Sequence, residues 1–406
     1  MGRWGTLEPL REREFRLLFL GQSVSVLGDA ISGIALAFAV LAIGGSASDL
    51  GLVLAAGAVP FLGFLLVGGV VADRLPRRAV MLAADLVRFA AQGVAAVLLI
   101  SGHAEVWALA ALNGVRGAAG AFFGPASTGL VPQTISAERL QQANALRGMT
   151  ASGAWIVGPA LGGALVAGAG SGWAVAADAV SYAISAGFLS RLAVSRTEPL
   201  PPQRFLGDLR DGWQAFTERS WVWVTVTSLT VVNVFSTAFF VLGPVVAERS
   251  LGGASAWAVI LSAGSVGALL GALLVYRLKP ERPLLVACLS VALGAVPSAL
   301  LALPAATALI AAATLIAGGG VLVFNALWET TLQQHVPAEA LSRVSAYDYL
   351  GSGIANPLGL AIFGPIAATI GIHRTLLLAA ACEFAALMFM LSRRSVREVR
   401  ARAVTV

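Results

Sequence analysis

The sequence predicts an all-α integral membrane protein that crosses the bilayer twelve times in two related halves. Three observations lead there: a composition poor in charge, a succession of apolar runs near membrane-helix length, and patterns that recur at about half the chain length. Only 12% of the 406 residues are charged and 58% are hydrophobic, with a mean hydropathy of +0.83. Soluble domains carry about 25% charged residues. A helix needs about 20 apolar residues to cross the hydrocarbon core, so the chain has room for about a dozen spans with short loops. The net charge of +6 comes from arginines in loops between spans. That placement suits contact with anionic lipid headgroups and excludes a nucleic-acid surface. Cys288 and Cys382 fall inside apolar runs and form no disulfide framework.

The spans read as 15–43, 50–72, 79–100, 105–124, 147–168 and 172–194, then 221–246, 255–276, 284–303, 306–328, 346–370 and 375–392. The first exceeds a signal-peptide core and carries Asp29 in its middle, so it is expected to be retained. Between the sixth and seventh spans, Phe205, Leu206, Leu209, Trp213 and Phe216 recur at helical spacing among Asp208, Arg210 and Asp211. This predicts an amphipathic cytoplasmic linker over 195–220, between a first bundle over 1–194 and a second over 221–406 with its tail. Arg3, Arg11 and Arg13, the 73–78 loop, the 191–219 linker, the Arg277–Arg282 loop and Arg393 to Arg402 share one side. The opposite loops carry only Arg249 and Arg374, which places both termini in the cytoplasm.

The halves resemble each other. Ala137-Glu-Arg-Leu140 reappears as Ala338-Glu-Ala-Leu341, an offset of 201 that also sets Gly158 on Gly359 and Gly163 on Gly364. The Arg74-Leu75 turn reappears as Arg277-Leu278, an offset of 203, with Tyr276 in the place of Asp73.

The stretch Gly69-Val-Val-Ala-Asp-Arg-Leu-Pro-Arg-Arg78 joins the second and third spans. It packs one acid and three arginines into six residues, Asp73 to Arg78, and Gly69 is expected to let a neighbouring helix approach closely. The stretch resembles the signature loop of the major facilitator superfamily, roughly G-x-x-x-D-R-x-G-R-R. Gly69, Asp73, Arg74, Arg77 and Arg78 match, and Pro76 replaces the usual glycine. In the fourth span, Asn113-Gly-Val-Arg116-Gly-Ala-Ala-Gly120 resembles the superfamily's R-x-x-x-G motif, with Ala119 where glutamine is common. In the fifth, Gly158, Pro159, Gly162 and Gly163 match the G-P-x-x-G-G core of the motif found in exporters, with Gly153 one position out of register upstream.

Charges within apolar spans are costly and are functional candidates. Gln22, Ser25 and Asp29 fall at i, i+3 and i+7, which makes one face of the first helix polar. Such a face must look into protein or water, and Asp29 is the candidate for proton uptake, with Arg116 as its partner. Arginine keeps its proton, so the role of Arg116 is electrostatic. Asp85 and Arg88 share a helix face three residues apart, beside the charged loop, and read as structural or gating groups. Asp178 reads either as a second protonation or cation site or as a packing acid. Glu383 reads as peripheral. Asn113, Asn233, Asn325, Trp328 and Asn356 join Gln22, Ser25 and Asp178 as substrate-cavity candidates.

The resemblance implies two pseudo-symmetric six-helix bundles, the major facilitator fold, with substrate bound between the repeats near the midplane. It also implies that Asp73 and its arginines favour the outward-facing state. Ser-Val-Leu-Gly-Asp29, Asp178-Ala-Val-Ser-Tyr182 and the Phe205–Thr217 linker are similar to the bacterial drug-efflux branch, which includes macrolide and enterobactin exporters. The expected activity is therefore proton-coupled export of a small amphiphilic compound by a monomer in the bacterial cytoplasmic membrane. Its partners are substrate, protons and lipid. Uptake or facilitated diffusion is the alternative, and a sensor without flux is a third. No phosphate-binding loop, catalytic set or metal-spaced His/Cys cluster occurs, so neither enzyme chemistry, cofactor nor metal is expected.

Overall fold

Apolar sequence in lipid must satisfy its backbone internally, and helices do this within one segment. The computed structural model describes residues 5–136, 139–193, 213–214, 216–278, 280–303, 305–336 and 338–401, and no strand occurs among them. The first half contains α1 (Arg13–Ala42), α2 (Ala47–Arg74), α3 (Arg77–Ile100), α4 (Val106–Leu130), α5 (Leu140–Ala169) and α6 (Ser171–Leu189). The second contains α7 (Ser220–Val246), α8 (Gly253–Arg277), α9 (Pro283–Ser290), α10 (Val296–Ala302), α11 (Thr307–His335), α12 (Ala338–Ile370), α13 (Ile372–Ser392) and a short α14 (Arg394–Arg397). Among the described residues ten helices are long and apolar enough to cross a membrane, and Ala355–Ile370 of α12 is a further, shorter apolar helix.

Local signals set the boundaries. Ser46 and Asp49 form a capping box that starts α2: the Ser46 hydroxyl accepts from the Asp49 amide, and the Asp49 carboxylate accepts from the Ser46 amide at 2.7 Å. Pro76 ends the turn after α2 and α3 begins at the next residue. The ninth expected span, 284–303, is not one helix. It breaks into α9 and α10 around a turn at 291–295. Pro297 lacks the N–H that a continuous helix would use, and its ring clashes with the carbonyl four residues earlier.

The chain divides into two compact units. One comprises Met1–Pro201 with Gly252–Ala258, the other Pro202–Leu251 with Val259–Val406. In the first, α2 packs on α4, α1 lies against α5 and α6, and α3 lies against α4 and α6. Leu18, Met81, Leu130, Leu189 and Leu192 form a buried cluster there. In the second, α7 packs on α12 and α13, α9 on α11, and α10 on α11 and α13. Its core gathers Trp328, Phe324, Leu332 and Met390. Leu52, Val97, Leu273 and Leu309 are exposed. In water such surface would promote aggregation, whereas lipid contact satisfies it.

The two units repeat the same tight crossings. A Cβ on Gly117 of α4 would lie 2.0 Å from the Gly57 carbonyl oxygen of α2. A Cβ on Gly318 of α11 would lie 2.1 Å from the Gly264 carbonyl oxygen of α8. Gly117 and Gly318 are separated by the same 201 positions as the two Ala-Glu-x-Leu segments. Gly158 of α5 abuts Ala30 of α1, and Gly359 of α12 abuts Val234 and Thr237 of α7. Small residues let helix backbones meet where lipid offers no hydrophobic drive.

Most of the expected linker, 194–212 and 215, lies outside the described residues. At its end, Trp213 stacks on Phe216 with ring centroids 5.8 Å apart. Phe216 is buried in the core of the second unit and does not lie on a membrane surface.

Candidate functional site

Gly28 lets α6 lie directly on α1. A Cβ there would sit 2.1 Å from Ser181 Oγ and 2.7 Å from Asp178 Oδ1. This approach brings the next residue, Asp29, to Tyr182, whose hydroxyl donates to Asp29 Oδ1 at 2.5 Å. Arg116 Nη1 from α4 reaches the same oxygen at 3.1 Å and lies 3.4 Å from the Tyr182 hydroxyl. Arg116 is aimed by its own helix: its Nε donates to Asn113 Oδ1 at 3.0 Å, and Asn113 Nδ2 donates to the Val53 carbonyl at 2.8 Å. The Asp29 and Arg116 side chains are 30% and 26% exposed, so the pair is only partly buried. Among the described residues both donors use Oδ1, which leaves Oδ2 as the oxygen available to a proton.

Behind Tyr182 lies a second, dry ion pair. Arg88 bonds Asp85 one helical turn away. The Arg88 guanidinium lies between two rings, 4.2 Å from the Phe123 centroid and 4.4 Å from that of Tyr182. Asp85 is wholly buried, and among the described residues both Asp85 Oδ2 and Arg88 Nε lack a hydrogen-bond partner. The pair, eight and eleven residues into α3 from the charged loop, backs the aromatic residue that holds Asp29. Asp178, one turn before Tyr182, is also wholly buried. Gln92 Nε2 donates to Asp178 Oδ2 at 2.5 Å and lies 2.9 Å from Ser32 Oγ.

Nearer the start of α1 and α5 and the end of α4, Gln22 Nε2 donates to Ser127 Oγ at 2.5 Å, and Gln22 Oε1 accepts from Arg147 Nε at 3.0 Å. Gln22, Ser25, Asn113 and Asp178, expected on a cavity wall, are thus buried inside the first unit. Trp328 is likewise a core residue, 4% exposed, with its indole N–H on Asp348 Oδ2 at 2.8 Å. Its aromatic bulk packs on Trp221 and Phe324. Asn325 and Asn356 are exposed and Asn233 is half-buried. Glu383, expected to be peripheral to transport, is buried, with Ser298 Oγ at 3.5 Å from its carboxylate.

The charged loop binds helix ends within its own unit. Arg77 Nη1 donates to the Gly129 carbonyl at 2.5 Å, near the end of α4. Arg78 Nε donates to the Leu189 carbonyl at 2.9 Å and its Nη2 to the Ser190 carbonyl, at the end of α6. These carbonyls carry the negative end of a helix and lack intrahelical donors. Arg74 is exposed, and the Asp73 side chain lies outside the described residues. A Cβ on Gly69 would meet nothing within 4 Å among the described residues, so the close approach expected there is absent. It occurs one residue earlier, where a Cβ on Gly68 would lie 2.3 Å from the Ala121 carbonyl oxygen.

In the fifth-span motif, Gly158 and Gly162 face Ala30 and Ile31 of α1, and Gly163 faces Ala254 and Ala258, which belong to the same unit. Pro159 stands inside α5, whose helix continues through it. Before α1, Glu12 accepts from the Ser136 amide at 2.9 Å, the Ser136 hydroxyl at 2.8 Å and Arg139 Nη1 at 3.1 Å. Partial burial opposes ionisation of Glu12, but these hydrogen bonds outweigh it and hold the carboxyl below its usual range.

Tyr182, Gln92 and Arg147 are the residues that spacing alone did not single out. Tyr182 follows Asp178 by four residues and so shares its helix face. Arg147 stood at the expected edge of the fifth span, but α5 begins seven residues earlier at Leu140.

Comparison with known proteins agrees with this architecture. The family model described as transmembrane secretion effector matches residues 4–405. The multidrug efflux pump Tap of Mycolicibacterium fortuitum is 29% identical over 377 residues, covering 86% of this chain and 88% of that protein. The enterobactin exporter EntS of Shigella boydii is 26% identical over 359 residues, covering 87% and 85%. Among solved structures, an auto-inhibited POT family peptide transporter superposes with a TM-score of 0.75 at 13% identity, covering 96% of this chain and 98% of its own. At that identity the likeness concerns the fold.

Proposed function

From the premise that this chain belongs to the transmembrane secretion effector family of the major facilitator superfamily, and is a multi-pass membrane transporter and not an enzyme, we propose that it exports a small amphiphilic compound in exchange for protons. The observation that carries this reading is the partly exposed Asp29–Arg116 pair, held by the buried Tyr182 inside the apolar first unit. The Asp29 carboxyl there is held through Oδ1 by one guanidinium and one phenol, and among the described residues no donor reaches Oδ2.

Proton uptake at Asp29 cancels its charge and loosens the hold of Arg116, which changes how the polar face of α1 meets its surroundings. Alternating access uses that change: protonation from outside accompanies substrate release and return, and deprotonation inside resets the cycle. Antibiotics, siderophores and other natural products are the cargo class, in keeping with what Tap and EntS are named for. The protein works as a monomer in the bacterial cytoplasmic membrane, with both termini cytoplasmic and bundles at 1–194 and 221–406 joined by the 195–220 linker. Gly158, Pro159, Gly162 and Gly163 serve the exporter motif by keeping α5 against α1. Gly69, Asp73, Arg74, Arg77 and Arg78 serve the cytoplasmic gate, with Asp85 and Arg88 supporting Tyr182.

The test uses purified protein in sealed liposomes under an imposed pH gradient, with a panel of amphiphilic antibiotics and siderophores. Collapse of the gradient triggered by one compound, and absent in Asp29→Asn, is expected. Full transport by Asp29→Asn would remove Asp29 from the mechanism.

A further inference from the structure

Arg88, Arg116 and Arg147 each lie at least seven residues from either end of a spanning helix of the first unit, and they are not equivalent. Arg88 is paired with Asp85 and Arg116 with Asp29. Among the described residues Arg147, on α5, forms no ion pair. Its polar neighbours are all uncharged: Gln22 Oε1 at 3.0 Å from Nε, Ser127 Oγ at 3.0 Å from Nη2, and Asn144 Oδ1 at 3.5 Å from Nη1. The side chain is half-buried. Arg147 lies seven residues into α5, roughly 10 Å along the helix axis, and an arginine costs about 3 kcal/mol at a span's centre and less toward its ends.

Those neutral contacts orient the guanidinium. Ser127 Oγ accepts from both Gln22 and Arg147, and Gln22 in turn accepts from Arg147, so three side chains from α1, α4 and α5 form a closed triangle. A fork of N–H donors held rigid in this way matches the two oxygens of a carboxylate or phosphate. Gln22 precedes Asp29 by seven residues on the same helix, so the triangle and the proton site stand roughly 10 Å apart along α1.

We infer that Arg147, positioned by Gln22 and Ser127, is a recognition site for the oxyanion of an amphiphilic molecule, a carboxylate or a phosphate monoanion. The inference rests on the export reading only in taking that molecule as cargo; an anionic lipid headgroup supplies the same chemistry.

The test measures fluorescence anisotropy of dansylglycine and of its uncharged amide with the full-length protein in phosphatidylcholine nanodiscs. A charge-assisted pair predicts that the carboxylate binds about tenfold to a hundredfold more tightly than the amide. Arg147→Gln erases the preference and Arg147→Lys, which keeps the charge but not the fork, retains part of it. Asp29→Asn keeps the preference whether or not proton coupling holds, so failure here and failure of the export reading are distinguishable. Loss of dansylglycine binding in phosphatidylglycerol nanodiscs identifies the lipid as the source of the oxyanion, and unchanged binding identifies cargo. Equal binding of the two probes, no binding of either up to millimolar concentration, or a preference that survives Arg147→Gln overturns the inference.

Discussion

Removing one member of the Asp85–Arg88 pair should destabilise the first unit strongly, while replacing both with apolar residues should not. Asp85 is 0% exposed and Arg88 is 5% exposed, so either group left alone is a buried charge without water. Such single losses cost about 3–5 kcal/mol, whereas apolar replacement of a whole buried pair is often neutral or stabilising. The two single substitutions should differ. In Asp85→Leu the guanidinium still lies between Phe123 and Tyr182, and two ring contacts worth roughly 0.5–2 kcal/mol each offset part of the loss. In Arg88→Met no ring contact offsets the loss, and the carboxylate keeps only the neutral Ser185 hydroxyl as a neighbouring donor among the described residues, so the cost falls at about 5 kcal/mol. The double variant Asp85→Leu/Arg88→Met should lie within about 1 kcal/mol of the parent protein. Reversible unfolding in mixed micelles measures all three. Single substitutions costing under about 1 kcal/mol, or a double variant as unstable as the sum of the singles, would refute the reasoning. Transport by the folded double variant then reports whether the pair matters beyond stability, since Arg88 supports the ring of Tyr182.

Other outcomes follow from the same geometry. Tyr182→Phe removes a donor to a charged, partly exposed acceptor and should lower export about tenfold while the protein stays monodisperse, as read by initial rates of gradient collapse. Gly68→Ala should destabilise by about 1–3 kcal/mol through overpacking against Ala121, while Gly69→Ala, in open space, should change stability by about 0.5 kcal/mol or less; thermal unfolding of the pair compares them. The Glu12 contact has a pH signature. Because the folded carboxyl lies below the usual value of 4.5, its stabilising contribution is fully present above that value and is lost as pH falls through the folded value. Hydrogen exchange at the Ser136 amide, corrected for intrinsic rate, should therefore rise in acid, and Glu12→Gln should remove that dependence.

The helices were legible because each is an apolar run bounded by charge, glycine or proline, and the half-repeat because small residues recur where helices cross. Azimuth and partner were not legible. Gly68 and Gly69 are adjacent glycines, and only the position of Ala121 on another helix decides which one is needed. Asp29 and Arg116 were expected to meet because each is costly alone, and they do. Tyr182 carries no charge, so its phenol gained meaning only once Gly28 brought α6 onto α1. Trp328 illustrates the reverse error: an amphipathic aromatic suits a cavity wall, but Asp348 satisfies its N–H inside the core. Spacing likewise could not reveal that Pro297 and the turn before it split one apolar run into two short helices.

Separating exchange from accumulation by the Asp29→Asn protein tests proton coupling at Asp29 most directly. With a compound that collapses the gradient in hand, liposomes loaded with it on both sides report one-for-one exchange, and liposomes under a pH gradient report uphill movement. An amide in place of the carboxylate that receives Tyr182 and Arg116 mimics the protonated state, so Asp29→Asn should retain exchange and lose pH-driven accumulation. Accumulation against a concentration gradient by Asp29→Asn at the parent rate would contradict the assignment of the proton to this residue.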